Sequence, residues 1–330
     1  MQAQALVFVA PGRVEFQAVD VGEPGDGQVL VRTAYSGISS GTELLAYRGH
    51  LDPHVALDET IGSLGGTFAY PFAYGYSCAG QVEASRGDLA EGAAVFAFHP
   101  HQDRFVAGTA DVVAVGDLPP RLATLFPLVE TALQISLDVG PVLGEPVVVV
   151  GLGAVGLLTG LLLTRAGARV LGAEPRAWRR QAASAMGLQA WSPEALPEVV
   201  SGATGGAGVP VVVEASGNPE ALASSLPLLA HEGTALVASW YGTKPVSLPL
   251  GAEFHRRRLH LRSSQVSTIP VHLQGRWSVS RRRAVALELM GELPLAQLAT
   301  HQFAAAEAAS AFAALDRGDE GLLHAALWYG

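Results

Sequence analysis

Cysteine and positive charge are both scarce in this chain. Cys78 is the only cysteine among 330 residues. That count excludes an internal disulfide and a thiolate-rich zinc site, and it favours a reducing, cytoplasmic setting. The formal net charge is −9, and the arginine clusters at 256–258 and 281–283 are short. We interpret these clusters as solvated helix faces or carboxylate partners, with contact to an anionic ligand as the alternative, and expect no nucleic-acid partner.

Targeting and membrane signals are also sparse. The N-terminal residues lack a basic region followed by an apolar core and a small-residue cleavage site, so they indicate no signal peptide. One apolar run, 147–163, approaches the length of a membrane span, but four glycines interrupt it. This run predicts a buried strand followed by a buried helix, and we expect no membrane partner.

Apolar residues, in contrast, are abundant. They make up 49% of the chain, and only 15% of the residues are charged. Such a composition predicts a large hydrophobic core, and the length exceeds what one core usually serves, so we expect two domains.

The rhythm of the sequence divides the chain into three segments. Residues 1–120 predict a small β domain, because short β-like runs alternate with turns. In 121–268, strands alternate with helices of about 10 to 15 residues, which is typical of a parallel sheet covered on both faces. Residues 269–330 contain two predicted helices and a final strand. The strands predicted in the first segment are 5–9, 13–18, 28–34, 79–83, 93–98 and 111–115.

A glycine-rich motif carries most of the functional inference. Gly151, Gly153 and Gly156 form a G-x-G-x-x-G pattern between an apolar strand and a long helix. The first glycine permits a tight turn, the second lets the backbone approach a pyrophosphate, and the third lets helix and strand pack closely. Ala154 and Val155 lie at the amino end of that helix, whose unpaired N–H groups favour phosphate. The alternative is an α/β sheet with an accidental glycine turn.

The residue that ends the next strand indicates which dinucleotide binds. Glu174 follows the motif by about 20 residues, where a carboxylate accepts hydrogen bonds from the ribose hydroxyls of NAD and repels the 2′-phosphate of NADP. Arg176, two residues later, is able to pair with a 2′-phosphate or to lie over the adenine. We therefore predict NAD, with NADP as the alternative.

Several strings give the chain a family resemblance. The strings are SGISSGTELLAYRG (36–49), YGYSCAGQV (74–82), PLVETAL (127–133) and ATHQF (299–303). With the β-rich region first and the glycine motif near 151, the chain resembles the medium-chain dehydrogenase/reductase superfamily over nearly its whole length. The resemblance implies a GroES-like catalytic domain, a Rossmann domain and a C-terminal return to the first domain.

Four further strings narrow the resemblance to one branch. They are GISSGTE, HPHQDRFV (99–106), SWYG (239–242) and FHRRRLHLRSSQV (254–266). They are similar to the branch that contains bacteriochlorophyllide a dehydrogenase. The match does not by itself assign a tetrapyrrole substrate.

The resemblance also implies that the usual zinc ligands are missing. A catalytic zinc in this family needs a cysteine, a histidine and commonly an acidic or second cysteine ligand. Matched to the family motifs, Ser40 or Ser39 stands at the cysteine position, Tyr76 at the histidine and Ser77 at the glutamate. Only Glu130 remains where some relatives have an acidic ligand. We therefore expect neither a catalytic nor a structural zinc.

A different group must then manage the proton on the substrate oxygen, because the Lewis acid is lost. The resemblance suggests Ser40, Glu43 and Tyr76, followed by Glu130 and His99. Four of them have a structural alternative. Ser40 is alternatively a turn residue and Glu43 the partner of an arginine, whereas Tyr76 is alternatively a packing aromatic and His99 a hydrogen-bonded loop histidine. A metal cluster of His99, His101 and Asp103 is a further alternative, since alternate residues of an extended segment share a face.

At the end of the last predicted strand of the parallel sheet, Ser264 and Gln265 would lie near the nicotinamide if the family geometry holds. The same stretch, 259–266, is expected to be the outer strand through which family members often form a homodimer.

Three functions remain open from the sequence. The leading hypothesis is an NAD(H)-dependent, zinc-independent oxidoreductase that acts on a small-molecule secondary alcohol or its ketone. The second is a zinc-free NADPH-dependent quinone or enoyl reductase. The third, from another class, is a catalytically inactive nicotinamide-binding regulator.

Overall fold

The computed structural model describes every residue, Met1–Gly330, and the chain divides into two compact units. Residues 1–127 and 295–330 form one, which we call the β unit; residues 128–294 form the other, the α/β unit. Both boundaries lie later in the chain than the sequence suggested, at 127 instead of 120 and at 294 instead of 268.

The first segment of the β unit consists mainly of strands. They are β1 (Gln2–Ala10), β2 (Arg13–Asp20), β3 (Gln28–Ile38), β4 (Phe72–Ala73), β5 (Cys78–Ser85), β6 (Ala94–Ala97), β7 (Arg104–Gly108) and β8 (Val112–Ala114). Two short helices accompany them, α1 (Thr42–Arg48) and α2 (Pro120–Ala123). All six predicted strands are present. The sequence did not predict β4, which has only two residues, or β7.

The α/β unit alternates strands and helices as the sequence predicted. Its strands are β9 (Pro146–Val150), β10 (Arg169–Ala173), β11 (Ala190–Trp191), β12 (Val209–Glu214), β13 (Leu229–Val237) and β14 (His260–Ser263). Its helices are α3 (Phe126–Val139), which begins just before the boundary, α4 (Ala154–Arg165), α5 (Ala177–Ala185), α6 (Leu196–Thr204), α7 (Pro219–Ser225) and α8 (Val279–Met290).

The C-terminal segment completes the β unit. It contains α9 (Leu295–Leu298), β15 (His301–Ala304), α10 (Ala308–Arg317) and β16 (Ala325–Trp328). β16 pairs antiparallel with β3 and parallel with β15, in a seven-stranded sheet of order β15-β16-β3-β5-β6-β8 to which β7 is joined through β3. A second sheet has the order β2-β1-β4. The last strand of the chain, β16, is thus an inner strand of this sheet and lies between β15 and β3.

An aromatic cluster fills the core between these elements of the β unit. The Phe8 ring stacks on Phe72 with centroids 5.4 Å apart and meets the edge of Phe312 from α10 at 5.3 Å. All three rings are buried. Such pairs add roughly 0.5–1.5 kcal/mol each beyond the area that they bury, so α10 is held against β1 by specific contacts.

The six strands of the α/β unit form one parallel sheet. Its order is β11-β10-β9-β12-β13-β14, and all five residues of the central strand β9 are buried. This is the doubly wound order of a Rossmann fold, with the chain reversing direction across the sheet between β9 and β12. The predicted fold class is confirmed: a Rossmann sheet and a GroES-like β-rich unit.

The apolar run at 147–163 is split by a turn into β9 and α4, as predicted. A different stretch, Pro120–Val139, is long and apolar enough to cross a membrane by length and composition, and 72% of its apolar window is buried inside the protein. Burial of this degree is what the core helix of a globular unit shows.

A buried ion pair ties α8 to α3 and explains why α8 belongs to the α/β unit. The Arg282 guanidinium donates from Nε and Nη2 to Glu130 Oε1, at 3.1 and 2.9 Å, and from Nη1 to Gln134 Oε1 at 2.6 Å. All three side chains are buried. Removing one partner of such a pair would leave an uncompensated buried charge, a cost of about 3–5 kcal/mol.

Candidate active site

The glycine motif forms the tight turn that its sequence predicted. Gly151 has a φ of +89°, and a Cβ there would lie 2.6 Å from the Ser216 Cα. A Cβ on Gly156 would lie 1.8 Å from the Gly151 carbonyl oxygen. Close backbone contacts therefore require the first and third glycines. Gly153 differs, because a Cβ there would meet only Arg179 Nη1, at 3.9 Å.

The space beside Gly153 fits a pyrophosphate. The protein itself does not require a glycine here, so the open approach to the backbone is the feature that a ligand would use. Ala154 and Val155 begin α4 directly after Gly153. The free N–H groups and partial positive charge of this helix terminus suit phosphate oxygens.

Glu174 lies directly after β10 and is almost fully buried. Its Oε2 accepts from the N–H of Leu152, within the glycine turn, at 3.0 Å, and its Oε1 accepts from the N–H of Arg176 at 3.1 Å. Arg179 Nη1 is 3.7 Å from Oε2, and its guanidinium lies over the Trp178 ring. A carboxylate accepts about four hydrogen bonds, so two backbone donors leave capacity for a ribose.

Arginine side chains surround this carboxylate more than the sequence suggested. Arg176 is exposed, whereas Arg180 donates from Nη1 to the backbone oxygens of Glu174 and Pro175, at 2.8 and 2.7 Å. Burial lowers the pKa of Arg179, which Glu174 opposes. The positive charges of Arg179 and Arg180 at the end of β10 therefore interact with groups of the protein itself.

Ser264, the other predicted cofactor contact, follows β14. Its N–H donates to Val237 O at 2.8 Å, and its hydroxyl donates to Asp138 Oδ2 at 2.6 Å. The neighbouring Gln265 side chain bonds Ser267. Both the N–H and the hydroxyl of Ser264 are therefore engaged within the α/β unit.

Two of the predicted catalytic residues lie close together after β3: Ser40 in the turn that precedes α1, and Glu43 in α1 itself. Glu43, in the first turn of α1, is fully buried, and its Oε1 accepts from the Ser39 N–H at 2.8 Å. Ser40 is exposed at the turn, whereas Ser39 is buried. Of the two serines matched to the cysteine position, only Ser39 therefore contacts Glu43.

Tyr76 belongs to the same group. Burial and the charge of Glu43 raise the pKa of Tyr76 to about 12, and the Ser39 and Thr42 hydroxyls oppose the shift. Its side chain is half-buried at the edge of the aromatic cluster, with its ring 6.1 Å from that of Tyr74. The phenol therefore stays protonated at neutral pH and is available as a donor.

The sequence did not identify the partner that Glu43 has in the structure. His101 Nε2 lies 2.8 Å from Glu43 Oε2, and both side chains are fully buried. On its other side, His101 Nδ1 lies 2.7 Å from Ser36 Oγ, which lies 2.9 Å from the Tyr329 hydroxyl. Gly75 makes room for this imidazole, because a Cβ there would lie 2.5 Å from His101 Cδ2.

This chain of four polar groups gives the buried Glu43 side chain hydrogen-bond partners inside the β unit. The imidazole Nε2–H donates to the carboxylate, and the Ser36 hydroxyl either donates to Nδ1 or accepts from it, depending on the tautomer. A buried carboxylate without such a partner would be strongly destabilised. No sequence pattern links positions 43 and 101, so only the fold reveals the pair.

The metal cluster of His99, His101 and Asp103, which the sequence left open as an alternative, does not assemble. The His99 ring stacks on Phe105, with centroids 3.8 Å apart, and burial lowers the pKa of His99 to about 4. Asp103 Oδ1 accepts from the Gln4 N–H at 2.7 Å. The segment is a loop and not an extended strand, so its alternate residues do not share a face.

The chain resembles known dehydrogenases in sequence and in structure. Residues 154–281 match the family described as zinc-binding dehydrogenase. The chain is 28% identical to 2-desacetyl-2-hydroxyethyl bacteriochlorophyllide A dehydrogenase of Cereibacter sphaeroides, over 95% of this chain and 94% of that protein.

Two solved structures have the same fold. One is a Sinorhizobium meliloti protein described as a zinc-binding dehydrogenase and bound to NADP, with a TM-score of 0.78, 19% identity and coverage of 100% of both chains. The other is an Escherichia coli alcohol dehydrogenase complexed with NADH, with a TM-score of 0.79, 16% identity and coverage of 99% of both chains. The chain therefore resembles the medium-chain dehydrogenase/reductase superfamily in sequence and in fold. These relatives are dehydrogenases, which confirms the oxidoreductase class expected from the sequence.

The residues present do not fit the zinc ion that the family description implies. No group of three His, Cys, Asp or Glu side chains anywhere in the chain is placed to hold a metal. Burial raises the pKa of the Cys78 thiol to about 12, and Ser77 Oγ donates to Thr124 O at 2.7 Å. Glu130, the one acidic candidate, is engaged by Arg282. None of these three side chains is therefore available to bind a metal.

Proposed function

We propose that this medium-chain dehydrogenase is NAD(H)-dependent and zinc-independent, and that it interconverts a secondary alcohol and its ketone. The observation that carries the proposal is the cluster of Tyr76, Glu43 and His101, at the position where relatives would hold their metal. The nicotinamide, when bound, supplies or receives the hydride. The protein must then stabilise the negative charge that develops on the substrate oxygen.

Tyr76 is the donor that we assign to that oxygen. Its raised pKa keeps the phenol protonated, so it can hydrogen-bond a carbonyl and deliver a proton to the alkoxide that forms. Glu43, held by His101, supplies part of that pKa shift, and Ser39 and Thr42 orient the hydroxyl. At neutral pH the phenol is in its protonated form, which is the form that reduction of a ketone requires.

The substrate class is supported by the full-length relative. The name of that relative pairs a hydroxyethyl group with a missing acetyl group, and a 1-hydroxyethyl group and an acetyl group are a secondary alcohol and its ketone. Ser40, Glu130 and His99 are not assigned to proton transfer, because Ser40 is exposed, Glu130 is ion-paired and His99 is stacked.

A homodimer that pairs through β14 is the expected assembly. β14 is the outer strand of the parallel sheet, and all four of its residues are exposed. Its unpaired edge is a ready template for a second copy. Light scattering should give a mass near twice 34.2 kDa, and a monomer would contradict this proposal.

The Tyr76→Phe variant tests the proposed acid. Loss of the hydroxyl should lower kcat by about 10²- to 10⁴-fold, while NADH affinity stays unchanged. The matched control is Tyr70→Phe, which alters another tyrosine of the same aromatic cluster and should leave kcat close to the wild-type value. Equal activity of Tyr76→Phe and wild type would remove Tyr76 from the chemistry.

Cofactor preference tests the role of Glu174. Titration of nicotinamide fluorescence should show tighter binding of NADH than of NADPH, because the carboxylate repels a 2′-phosphate. The Glu174→Ser variant should narrow or reverse that preference. A wild-type preference for NADPH would overturn the assignment and favour the quinone or enoyl reductase. Tight binding without turnover of any alcohol or ketone would favour the inactive regulator, and no binding of either nucleotide would contradict the proposal altogether.

A further inference from the structure

A second buried carboxylate lies at the end of the next strand of the α/β unit. Glu214 is the last residue of β12 and is fully buried. Its Oε1 accepts from the Ser216 N–H at 2.6 Å, from the Ser216 hydroxyl at 2.5 Å and from the Gly217 N–H at 3.1 Å. Its Oε2 accepts from the Tyr241 hydroxyl at 2.6 Å. No cation lies within ion-pair distance, so neutral donors alone hold this carboxylate.

Burying a carboxylate in this way destabilises the folded protein unless all of its hydrogen bonds are formed. A buried carboxylate costs several kcal/mol without full compensation, and bonds to a charged acceptor are the stronger kind. Burial and the bond to Glu214 raise the pKa of Tyr241, so its hydroxyl remains a donor far into the alkaline range. Four donors converge on Glu214, and the only one from a distant segment is Tyr241, which follows β13.

The turn that Glu214 holds is pressed against the glycine motif. The Ser216 backbone occupies the space that a side chain at position 151 would need. A Cβ built on Gly151 would lie 2.6 Å from the Ser216 Cα and 2.7 Å from the Ser216 N. The Gly217 N–H also donates to Ser239 Oγ at 2.8 Å, and Lys244 Nζ donates to Gly217 O at 2.9 Å. The Glu214 turn therefore joins the carboxyl ends of β9, β12 and β13.

The sheet order places this turn in one half of the dinucleotide fold. A Rossmann sheet consists of two mononucleotide-binding halves that meet where the strand order reverses. β9, β10 and β11 form the half that carries Glu174, which faces the adenosine ribose. β12, β13 and β14 form the other half.

We propose that Glu214 and Tyr241 form a clamp that positions the Ser216–Gly217 turn for the nicotinamide half of the cofactor. This inference rests on the proposed nicotinamide function. The two residues act through the turn and are positioning residues. Neither touches the reacting atoms. The clamp sets where the backbone of the Ser216–Gly217 turn lies, so its loss should weaken contacts with the nicotinamide half and leave those with the adenosine half intact.

The test compares two ligands on one variant. The Tyr241→Phe variant removes one donor to the carboxylate and keeps the ring. Calorimetric titration should show NADH binding weakened by about three- to tenfold, a fraction of the loss expected from one bond to a charged group. Binding of AMP, which carries only the adenosine half, should be unchanged. The matched control is Tyr35→Phe in the β unit, where both affinities should equal those of the wild type.

Each outcome decides between the alternatives. Weaker binding of NADH with unchanged binding of AMP supports the clamp. If Tyr241→Phe does not fold, the Ser239→Ala variant replaces it, because it removes a second contact to Gly217 and should give the same selectivity. Equal weakening of NADH and AMP, or no change in either, would overturn the assignment to the nicotinamide half. If the wild-type protein binds neither NADH nor AMP, the result contradicts the proposed function itself. Failure of the clamp alone is distinguishable, because the wild type then still binds NADH.

Discussion

The turn after β9 is the constraint on which the carboxyl edge of the parallel sheet depends. Two backbone contacts leave no room for a side chain, one between Gly151 and Ser216 and one between Gly156 and the Gly151 carbonyl. Buried carboxylates hold the turn in place from either side. Glu174 accepts from the Leu152 N–H within it, and Glu214 fixes the Ser216 turn against it. The open approach to Gly153 follows from this packing, because the backbone around it cannot relax to fill the space.

In the β unit, a comparable constraint surrounds Glu43. This carboxylate is fully buried, and it is stabilised by the His101 imidazole and the Ser39 N–H. Its charge contributes to the raised pKa of Tyr76. Under the proposed function, the protonated Tyr76 hydroxyl would take the place of a Lewis acid, and burial together with the charge of Glu43 keeps that hydroxyl protonated.

The fold was predictable from the sequence to a large extent, since the all-apolar β9 and the glycine turn define a Rossmann start and the alternation of strands and helices defines the rest. The tight turn at Gly151 and the position of Glu174 at the end of β10 were predictable for the same local reason. The Glu43–His101 pair was not, because its members are 58 residues apart and no spacing rule connects them. Glu130 was matched to a ligand position, but its partner Arg282 lies 152 residues away on α8. Long-range partners decide whether a candidate side chain is free for chemistry, and a sequence pattern does not contain them.

Metal dependence tests the central claim most directly. The purified enzyme is assayed with NADH and a panel of ketones, its zinc content is measured, and the assay is repeated after treatment with a chelator and again after zinc is added back. The account predicts reduction of at least one ketone by protein that contains no stoichiometric zinc, with kcat unchanged by the chelator and by added zinc. Activity that disappears with the chelator and returns in proportion to bound zinc would contradict it.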